Sequence, residues 1–267
     1  MTLLLQISDP HFGTEKEHVV EALVELTHRE RPDVLILSGD ITQRATREQF
    51  DAARRFVDRL KVPAMLAIPG NHDLPLFNLG KRLVAPYAEY RRAFGGELEP
   101  VYESDELLVI ALNTTRPWRH KDGEVSREQV DRVARRLEQA TRAQLRIVVT
   151  HQPIAVTREE DEPDVLHGNQ RALRRWAMSG VDLILGGHIH LPFIVRLHER
   201  ALTDGSPAYV VQAGTAVSSR LRHNTCNSVN LVRHSPSESP RRCEVERWDY
   251  SGDRGRFERV VIEDLRF

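Results

Sequence analysis

The chain has 267 residues, a net charge of −1 and 40% hydrophobic residues, which suffices for the core of one large domain. The near-neutral charge argues against a sequence-wide attraction to nucleic acid or to an anionic membrane. No segment approaches the roughly 20 apolar residues of a membrane helix, and Cys226 and Cys243 are too few for a disulfide framework. We therefore expect a soluble cytoplasmic protein with a single domain over residues 1–267.

Short apolar runs alternate with charged amphipathic segments in the first part of the chain. The runs are typical of buried parallel strands, and we predict them at residues 3–7, 34–38, 64–68, 147–150 and 183–185. Helices are expected to follow capping boxes, which pair Thr14 with Glu17, Thr46 with Gln49 and Ser126 with Gln129. Another helix is expected from about Asn169 to Gly180. This alternation predicts an α/β fold with right-handed crossovers.

Two segments break the alternation. Residues 74–96 have a helical composition and directly follow a polar motif, so a helical cap within residues 74–100 is expected to roof the site. After residue 190 the pattern changes to antiparallel strands. These strands are predicted at residues 193–197, 209–212, 228–232, 244–248 and 259–262, with a turn or loop at 233–242.

Polar side chains follow each of the five buried strands. They are Asp9 and His11, then Asp40, then Asn71, His72 and Asp73, then His151, and finally His188 and His190. Because the ligand crevice of an open α/β sheet lies beyond the carboxyl ends of its strands, these side chains are expected to converge. Imidazole, carboxylate and amide donors suit a pair of first-row metal ions, and the absence of cysteine argues against a structural zinc site. Gly39, Gly70 and Gly187 would let the backbone turn sharply.

The order D-x-H, G-D, G-N-H-D, H and G-H-x-H resembles the signature of the calcineurin-like metallophosphoesterases, and it spans residues 9–190. The resemblance implies a four-layer αββα sandwich with two central mixed sheets flanked by helices. The strands in residues 191–267 would then belong mainly to the second sheet.

The resemblance also implies a role for each motif residue. One ion would be held by Asp9, His11 and His190, and the other by Asn71, His151 and His188, while Asp40 would bridge both. The cofactors would be two divalent or trivalent ions of Mn, Fe or Zn. His72 would be catalytic and would not bind metal. It would hydrogen-bond the phosphoryl oxygen or protonate the leaving group.

One block differs from that of the protein phosphatases of this superfamily, which have G-D-x-V-D-R-G where this chain has G-D-I-T-Q-R-A. Gln43 replaces the aspartate that orients the catalytic histidine, so Gln43 or Asp73 takes that role, or the dyad is absent. Asp73 is expected to hold backbone rather than metal. The candidates for substrate binding are Arg44, Arg220, Arg222 and Asn113. The alternative for Arg44 is a surface ion pair, and the alternative for Arg220 and Arg222 is a solvated loop. For Asn113 the alternative is a turn cap.

The resemblance implies hydrolysis of a small-molecule phosphoester. The G-N-H-D block is similar to that of class III cyclic-nucleotide phosphodiesterases and bacterial glycerophosphodiesterases, which favours a small diester. The alternatives are a nucleotide or sugar-nucleotide pyrophosphatase and a phosphomonoesterase. A nuclease is less favoured because no basic face is evident, and a non-catalytic scaffold is less favoured because the ligand set is complete. The metal identity and the oligomeric state stay open, and a homo-oligomer is allowed.

Overall fold

The computed structural model describes residues 1–76, 79–197, 207–222, 224–235 and 242–267. Its first sheet has the strand order β12-β11-β10-β1-β2-β3. These strands are β1 (Thr2–Ile7), β2 (Val34–Ser38), β3 (Ala64–Ile68), β10 (Ser228–Ser235), β11 (Arg242–Ser251) and β12 (Arg256–Arg266). The three N-terminal strands are parallel, and β10 to β12 pair antiparallel.

The second sheet has the order β4-β5-β6-β7-β9-β8. Its strands are β4 (Val101–Glu103), β5 (Leu107–Ala111), β6 (Leu145–Val149), β7 (Leu183–Gly186), β8 (Phe193–Arg196) and β9 (Tyr209–Gln212). The helices are α1 (Glu17–Glu30), α2 (Arg47–Leu60), α3 (Leu79–Val84), α4 (Ala88–Phe94), α5 (Arg127–Glu138) and α6 (Asn169–Met178). Short 3₁₀ turns occupy Asn71–Asp73 and Glu159–Asp164.

Four layers arise because successive residues of each buried strand face opposite sides. In β1, Leu3 and Leu5 pack with α1 and α2, whereas Leu4 packs between the two sheets. The same division holds in the second sheet, where Leu108 packs with α5 and α6 and Val109 faces the first sheet. The predicted αββα sandwich is confirmed.

The predicted helix starts have three different outcomes. Ser126 and Gln129 form both halves of a capping box, and Thr46 accepts a hydrogen bond from the backbone N–H of Gln49. The prediction for Thr14 is wrong, because α1 begins after Lys16 without a side-chain cap. The Thr14 hydroxyl instead donates to the backbone oxygen of His11 at 2.9 Å. It therefore stabilises the loop that carries the first polar motif.

The assignment of residues 191–267 to the second sheet needs correction, because these strands are divided between both sheets. Strands β8 and β9 join the second sheet, where β9 runs parallel to β7, while β10 pairs with β1 in the first. Alternation within a strand reveals its faces but not its partner, which is why the sequence pattern could not settle this point.

The helical character predicted after residue 74 is confirmed by α3 and α4. Tyr90 of α4 is buried, and its hydroxyl donates to the backbone oxygen of Ala67 at 2.7 Å, which ties α4 to β3. Whether the segment roofs the site stays a prediction. Phe77, Asn78 and most of the loop predicted at 233–242 lie outside the described residues. No helix in the described ranges is long and apolar enough to cross a membrane.

Candidate metal centre

The carboxyl ends of five strands from both sheets meet at one edge of the sandwich and bring the predicted side chains together. Nε2 of His190 lies 3.2 Å from Oδ1 of Asp9 and 3.1 Å from Nε2 of His11. On the other side, Nε2 of His151 lies 3.3 Å from Oδ1 of Asp40 and 3.2 Å from Oδ1 of Asn71. The structure therefore brings together side chains from both sets that were expected to hold an ion.

The donor atoms fall into three groups in which all atoms lie within 4.8 Å of one another. The groups are Asp9 with His11 and His190, Asp40 with His151 and His188, and His11 with Asp40 and His72. Separations of this size are those of atoms that can share one ion. Asp40 and His11 each belong to two of the groups, but only Asp40 shares one group with His11 and another with His151 and His188, which is the position expected of a bridging carboxylate.

The backbone at the centre is strained. Five motif residues, none of them glycine, have left-handed φ values: Asp9 at 51°, His11 at 44°, Asp40 at 48°, His188 at 73° and His190 at 54°. Such conformations cost about 1–3 kcal/mol each and persist where the surrounding structure holds them. Backbone bonds between the loops supply that support, since Asp9 N–H donates to the oxygen of Gly39 and His11 N–H to that of Asp40.

Two of the three motif glycines are required by close packing rather than by a turn. A Cβ on Gly70 would collide with the backbone and carboxylate of Asp40, and one on Gly187 would collide with Ser8 and Asp9. At Gly39 the expected sharp turn is present, with φ of 92°. The loops can therefore approach closely enough to place their carboxylates side by side.

Asp73 holds the loops beneath the centre. Its buried carboxylate accepts hydrogen bonds from the N–H groups of Ile41 at 3.0 Å, Thr42 at 2.8 Å and Gly70 at 2.9 Å. The Thr42 hydroxyl adds a fourth bond at 2.8 Å. These four donors occupy the carboxylate, which agrees with the expectation that Asp73 holds backbone rather than metal.

Backbone carbonyls orient two of the imidazoles. Nδ1 of His151 donates to the oxygen of Ser38 at 2.9 Å, and Nδ1 of His190 donates to that of Arg220 at 2.7 Å. Each bond fixes the Nδ1 proton on a carbonyl and directs Nε2 at a carboxylate, so that Nε2 can bind a metal ion once its own proton is displaced. Oδ1 of Asp9 and Nδ1 of His188 are buried without a hydrogen bond. Since buried polar atoms normally have partners, these donors fit a bound cation.

The electrostatics of the centre favour a cation as well. Burial acts to raise the pKa of Asp9, but the nearby His190 outweighs it and lowers that pKa to about 2. Burial acts to lower the pKa of His151, but Asp40 outweighs it and raises that pKa to about 9. At His11 burial dominates and lowers the pKa to about 3. At neutral pH the carboxylates are therefore charged, and His151 carries a proton that a metal ion would displace.

His72 is held differently from the predicted ligands. Its Nδ1 donates to the backbone oxygen of Gln43 at 3.0 Å, and its Nε2 accepts a hydrogen bond from the Arg220 guanidinium at 3.1 Å. The same guanidinium nitrogen donates to Oε1 of Gln43 at 2.9 Å. Both ring nitrogens have partners, and the cation beside Nε2 opposes a metal ion there. A main-chain carbonyl therefore orients the ring, and the side chain at position 43 is not needed for that contact.

A cleft of about 770 Å³ opens over these residues. Its walls include Arg220 and Arg222, as expected, and also four residues that the sequence reasoning had not singled out as part of the site: His120, Lys121, Asp161 and Asp164. His120 and Lys121 lie on the loop after β5, whereas Asp161 and Asp164 lie in the 3₁₀ turn after β6, and no motif marks any of the four. Only the path of those loops in the folded chain brings them to the centre.

The remaining candidates for substrate binding have distinct surroundings. Arg222 donates to Oδ1 of Asp161 at 2.7 Å and also pairs with Glu160. Arg44 lines a smaller pocket beside His72. Oδ1 of Asn113 accepts bonds from both the N–H and the hydroxyl of Thr115. These bonds favour the turn-capping alternative for Asn113.

Comparison with known proteins agrees with this geometry. The family model of the calcineurin-like phosphoesterases matches residues 2–192, and the chain belongs to that family. The expectation of a metal-dependent phosphoesterase is thereby confirmed.

Two curated relatives have phosphodiesterase names. A probable cyclic nucleotide phosphodiesterase from Synechococcus sp. is 31% identical over 235 residues, which cover 79% of this chain and 82% of the relative. A probable glycerophosphodiester phosphodiesterase from Arcobacter nitrofigilis is 26% identical over 201 residues, covering 70% and 71% of the two chains.

Solved structures share the fold at low sequence identity. A dimetal phosphatase from Danio rerio superposes with a TM-score of 0.66 at 14% identity, covering 99% of this chain and 98% of that one. A purple acid phosphatase from yellow lupin gives a TM-score of 0.68 at 12% identity over 99% of this chain. The alignment spans 53% of the lupin chain, about half its length. These likenesses establish the sandwich architecture.

Proposed function

We propose that the chain is a binuclear metal-dependent phosphodiesterase that hydrolyses a small diester. The observation that carries this proposal is the charge balance of the cleft beside the paired metal-binding groups. Lys121 forms an ion pair with Asp164 at 2.8 Å, and Arg222 forms one with Asp161 at 2.7 Å. A phosphodiester has one negative charge, whereas a phosphomonoester is largely a dianion at neutral pH. A cleft whose cations are largely paired with acids suits the diester.

In the proposed centre, Asp9, His11 and His190 would hold one ion, Asn71, His151 and His188 would hold the other, and Asp40 would contact both. Two such first-row ions, when bound, supply polarisation of the phosphoryl oxygens and activation of water for attack. The ring orientations support this assignment, because His151 and His190 direct Nε2 at Asp40 and Asp9 respectively. Metals of this kind could be Mn, Fe or Zn.

Arg220 and His72 would act directly on the substrate. The phosphoryl anion would accept a hydrogen bond from Arg220, the cleft cation that contacts His72 and Gln43. With Arg220 so engaged, Nε2 of His72 is released from that contact. Protonated His72 would keep its Nδ1 bond to Gln43 and present Nε2–H to the leaving oxygen. A general acid or oxyanion donor of this kind typically contributes about 10²–10⁴-fold to the rate.

A phosphomonoesterase or pyrophosphatase is the second candidate, because Arg44 and Arg220 both lie on cavities that His72 lines. Two cations on either side of the phosphoryl position would suit a second negative charge. The names of the curated relatives favour the diester.

The test compares kcat/KM for methyl p-nitrophenyl phosphate and for p-nitrophenyl phosphate under one metal and one pH. We expect the diester to be hydrolysed more efficiently by the metal-reconstituted protein. A tenfold or greater preference for the monoester, about 1.4 kcal/mol in transition-state binding, would contradict the proposal. Arg44→Ala would then identify the second cation if it removed that preference.

A further inference from the structure

A layer of polar side chains lies between the two sheets, next to the loops of the metal centre. Further from the centre, the layer between the sheets is apolar and includes Leu4, Ile36 and Val232. Two positions closer to the centre on the same three strands, the buried residues are Gln6, Ser38 and Asn230. Buried polar groups reduce stability unless they are hydrogen-bonded, so their partners indicate what this layer does.

The side-chain amide of Gln6 joins the two sheets. Its nitrogen donates to Oγ of Ser38 at 3.2 Å, at the end of β2 in the first sheet. The same nitrogen donates to the backbone oxygen of Gly186 at 3.0 Å, at the end of β7 in the second sheet. Its oxygen accepts a bond from Nδ2 of Asn230 at 3.0 Å. The orientation of the amide is fixed, because the Gly186 oxygen can only accept a hydrogen bond.

Both acceptors of the Gln6 nitrogen are connected to proposed metal ligands. The backbone oxygen of Ser38 accepts the Nδ1–H of His151 at 2.9 Å, and Gly186 lies two residues before His188. In the proposed centre, His151 and His188 hold one of the two ions together with Asn71, and we call this ion the second ion. The Gln6 amide therefore lies behind the ligands of the second ion.

The ligands of the second ion come from both sheets. Asn71 follows β3 in the first sheet, whereas His151 and His188 follow β6 and β7 in the second. The site keeps its dimensions only if the sheets keep one relative position. Apolar packing is not directional and allows small shifts between the sheets, whereas a hydrogen bond depends on both distance and angle. The bonds of Gln6 can therefore fix a position that the apolar layer leaves free.

We infer that Gln6 is a positioning residue, whose amide sets the separation of the two sheets at the site of the second ion. Asn230 supports it by holding the amide oxygen. The inference rests on the binuclear centre of the proposed function and adds to it a residue that acts through Ser38 and Gly186. Loss of such a supporting contact typically weakens metal affinity by about 10–100-fold.

Gln6→Met tests the inference, because methionine has nearly the length of glutamine and cannot form these hydrogen bonds. The probe is Mn²⁺, added to metal-free protein in a calorimetric titration and followed by electron paramagnetic resonance. We expect the wild-type protein to bind two ions and to give the exchange-coupled signal of adjacent Mn²⁺ ions. Gln6→Met should bind one ion as the wild type does and the other about tenfold or more weakly. With one ion bound, its signal should be that of isolated Mn²⁺.

Two further variants separate positioning from stability. Leu4→Ala is the matched control, because Leu4 lies on the same strand and is fully buried in the apolar layer between the sheets. Its cavity should lower the unfolding temperature at least as much as Gln6→Met does, yet both Mn²⁺ affinities should stay unchanged. Combining Gln6→Met with Asn230→Leu replaces both partners of a buried bond by apolar groups. This double variant should regain part of the unfolding temperature without regaining affinity for the second ion.

The outcomes that count against the inference can be told apart from failure of the proposed function. Unchanged affinities in Gln6→Met, a loss shared equally by the two ions, or an affinity that recovers with the unfolding temperature in the double variant would overturn the inference alone. Wild-type protein that binds a single ion, with Mn²⁺ and with Zn²⁺ alike, would contradict the binuclear centre and the inference with it.

Discussion

Replacement of Asp73 by alanine should empty the metal centre although Asp73 is not proposed to bind metal. Its carboxylate accepts bonds from the N–H groups of Ile41, Thr42 and Gly70 and from the Thr42 hydroxyl. Asp73→Ala would leave these donors buried without an acceptor, at about 1–3 kcal/mol each. Allowing for relaxation and water entry, we expect a loss of about 3–6 kcal/mol in the free energy of unfolding. The affected loops carry Asp40 and Asn71, so metal affinity should fall as well.

Urea unfolding and elemental analysis of the purified variant measure these two effects. Asp33→Ala is the matched control, because the carboxylate of the exposed Asp33 accepts one bond from the backbone, from the N–H of Leu3 at 2.9 Å, at the other end of the strands. It should cost about 1 kcal/mol and keep both ions. If Asp73→Ala were as stable as the control and retained both metals, the argument that Asp73 holds these loops would be refuted.

Three further predictions concern the proposed centre itself. Asp40→Ala should lose at least one ion and nearly all turnover, and two tightly held ions per chain by elemental analysis would contradict its bridging role. His72→Ala should retain both ions and lose about 10²–10⁴-fold in kcat, whereas metal loss matching that of Asp40→Ala would make His72 a ligand. Because the pKa of His151 is raised to about 9, its proton competes with metal below that pH. Apparent affinity should therefore weaken as pH falls, by about tenfold per unit for one proton, and calorimetric titrations at pH 6, 7 and 8 that gave equal affinities would exclude this competition.

The strands that carry the motifs were predictable because their local pattern is strong. Each of these buried strands consists mostly of apolar residues, and the predicted ranges 34–38 and 64–68 coincide with β2 and β3. The polar residues directly after such runs must lie at the carboxyl edge of the sheets, because the chain leaves each strand there. That is why the convergence of these polar residues could be anticipated before the fold was known, whereas their division between two metal ions was implied only by the family resemblance.

The orientation of His72 could not be predicted in the same way. The sequence left three possibilities, in which Gln43 or Asp73 orients the ring or the dyad is absent, whereas the structure uses the main-chain oxygen of Gln43. Every residue has such an oxygen, so its type reveals nothing about that role. Arg220 likewise reaches His72 from a loop 148 residues further along the chain, a contact that no local spacing encodes.

The sequence by itself determined the fold class, the buried strands and the identity of the polar groups at their ends, because these follow from apolar periodicity and from residue chemistry over a few neighbouring positions. Only the tertiary structure decided that β10 pairs with β1, that the cleft is walled by Lys121 and Asp164, and that a smaller pocket lies beside it at His72. These features depend on which sheet edge and which loops meet after the chain has packed. The energies that select them come from contacts between residues far apart in sequence, and no local pattern reports those contacts.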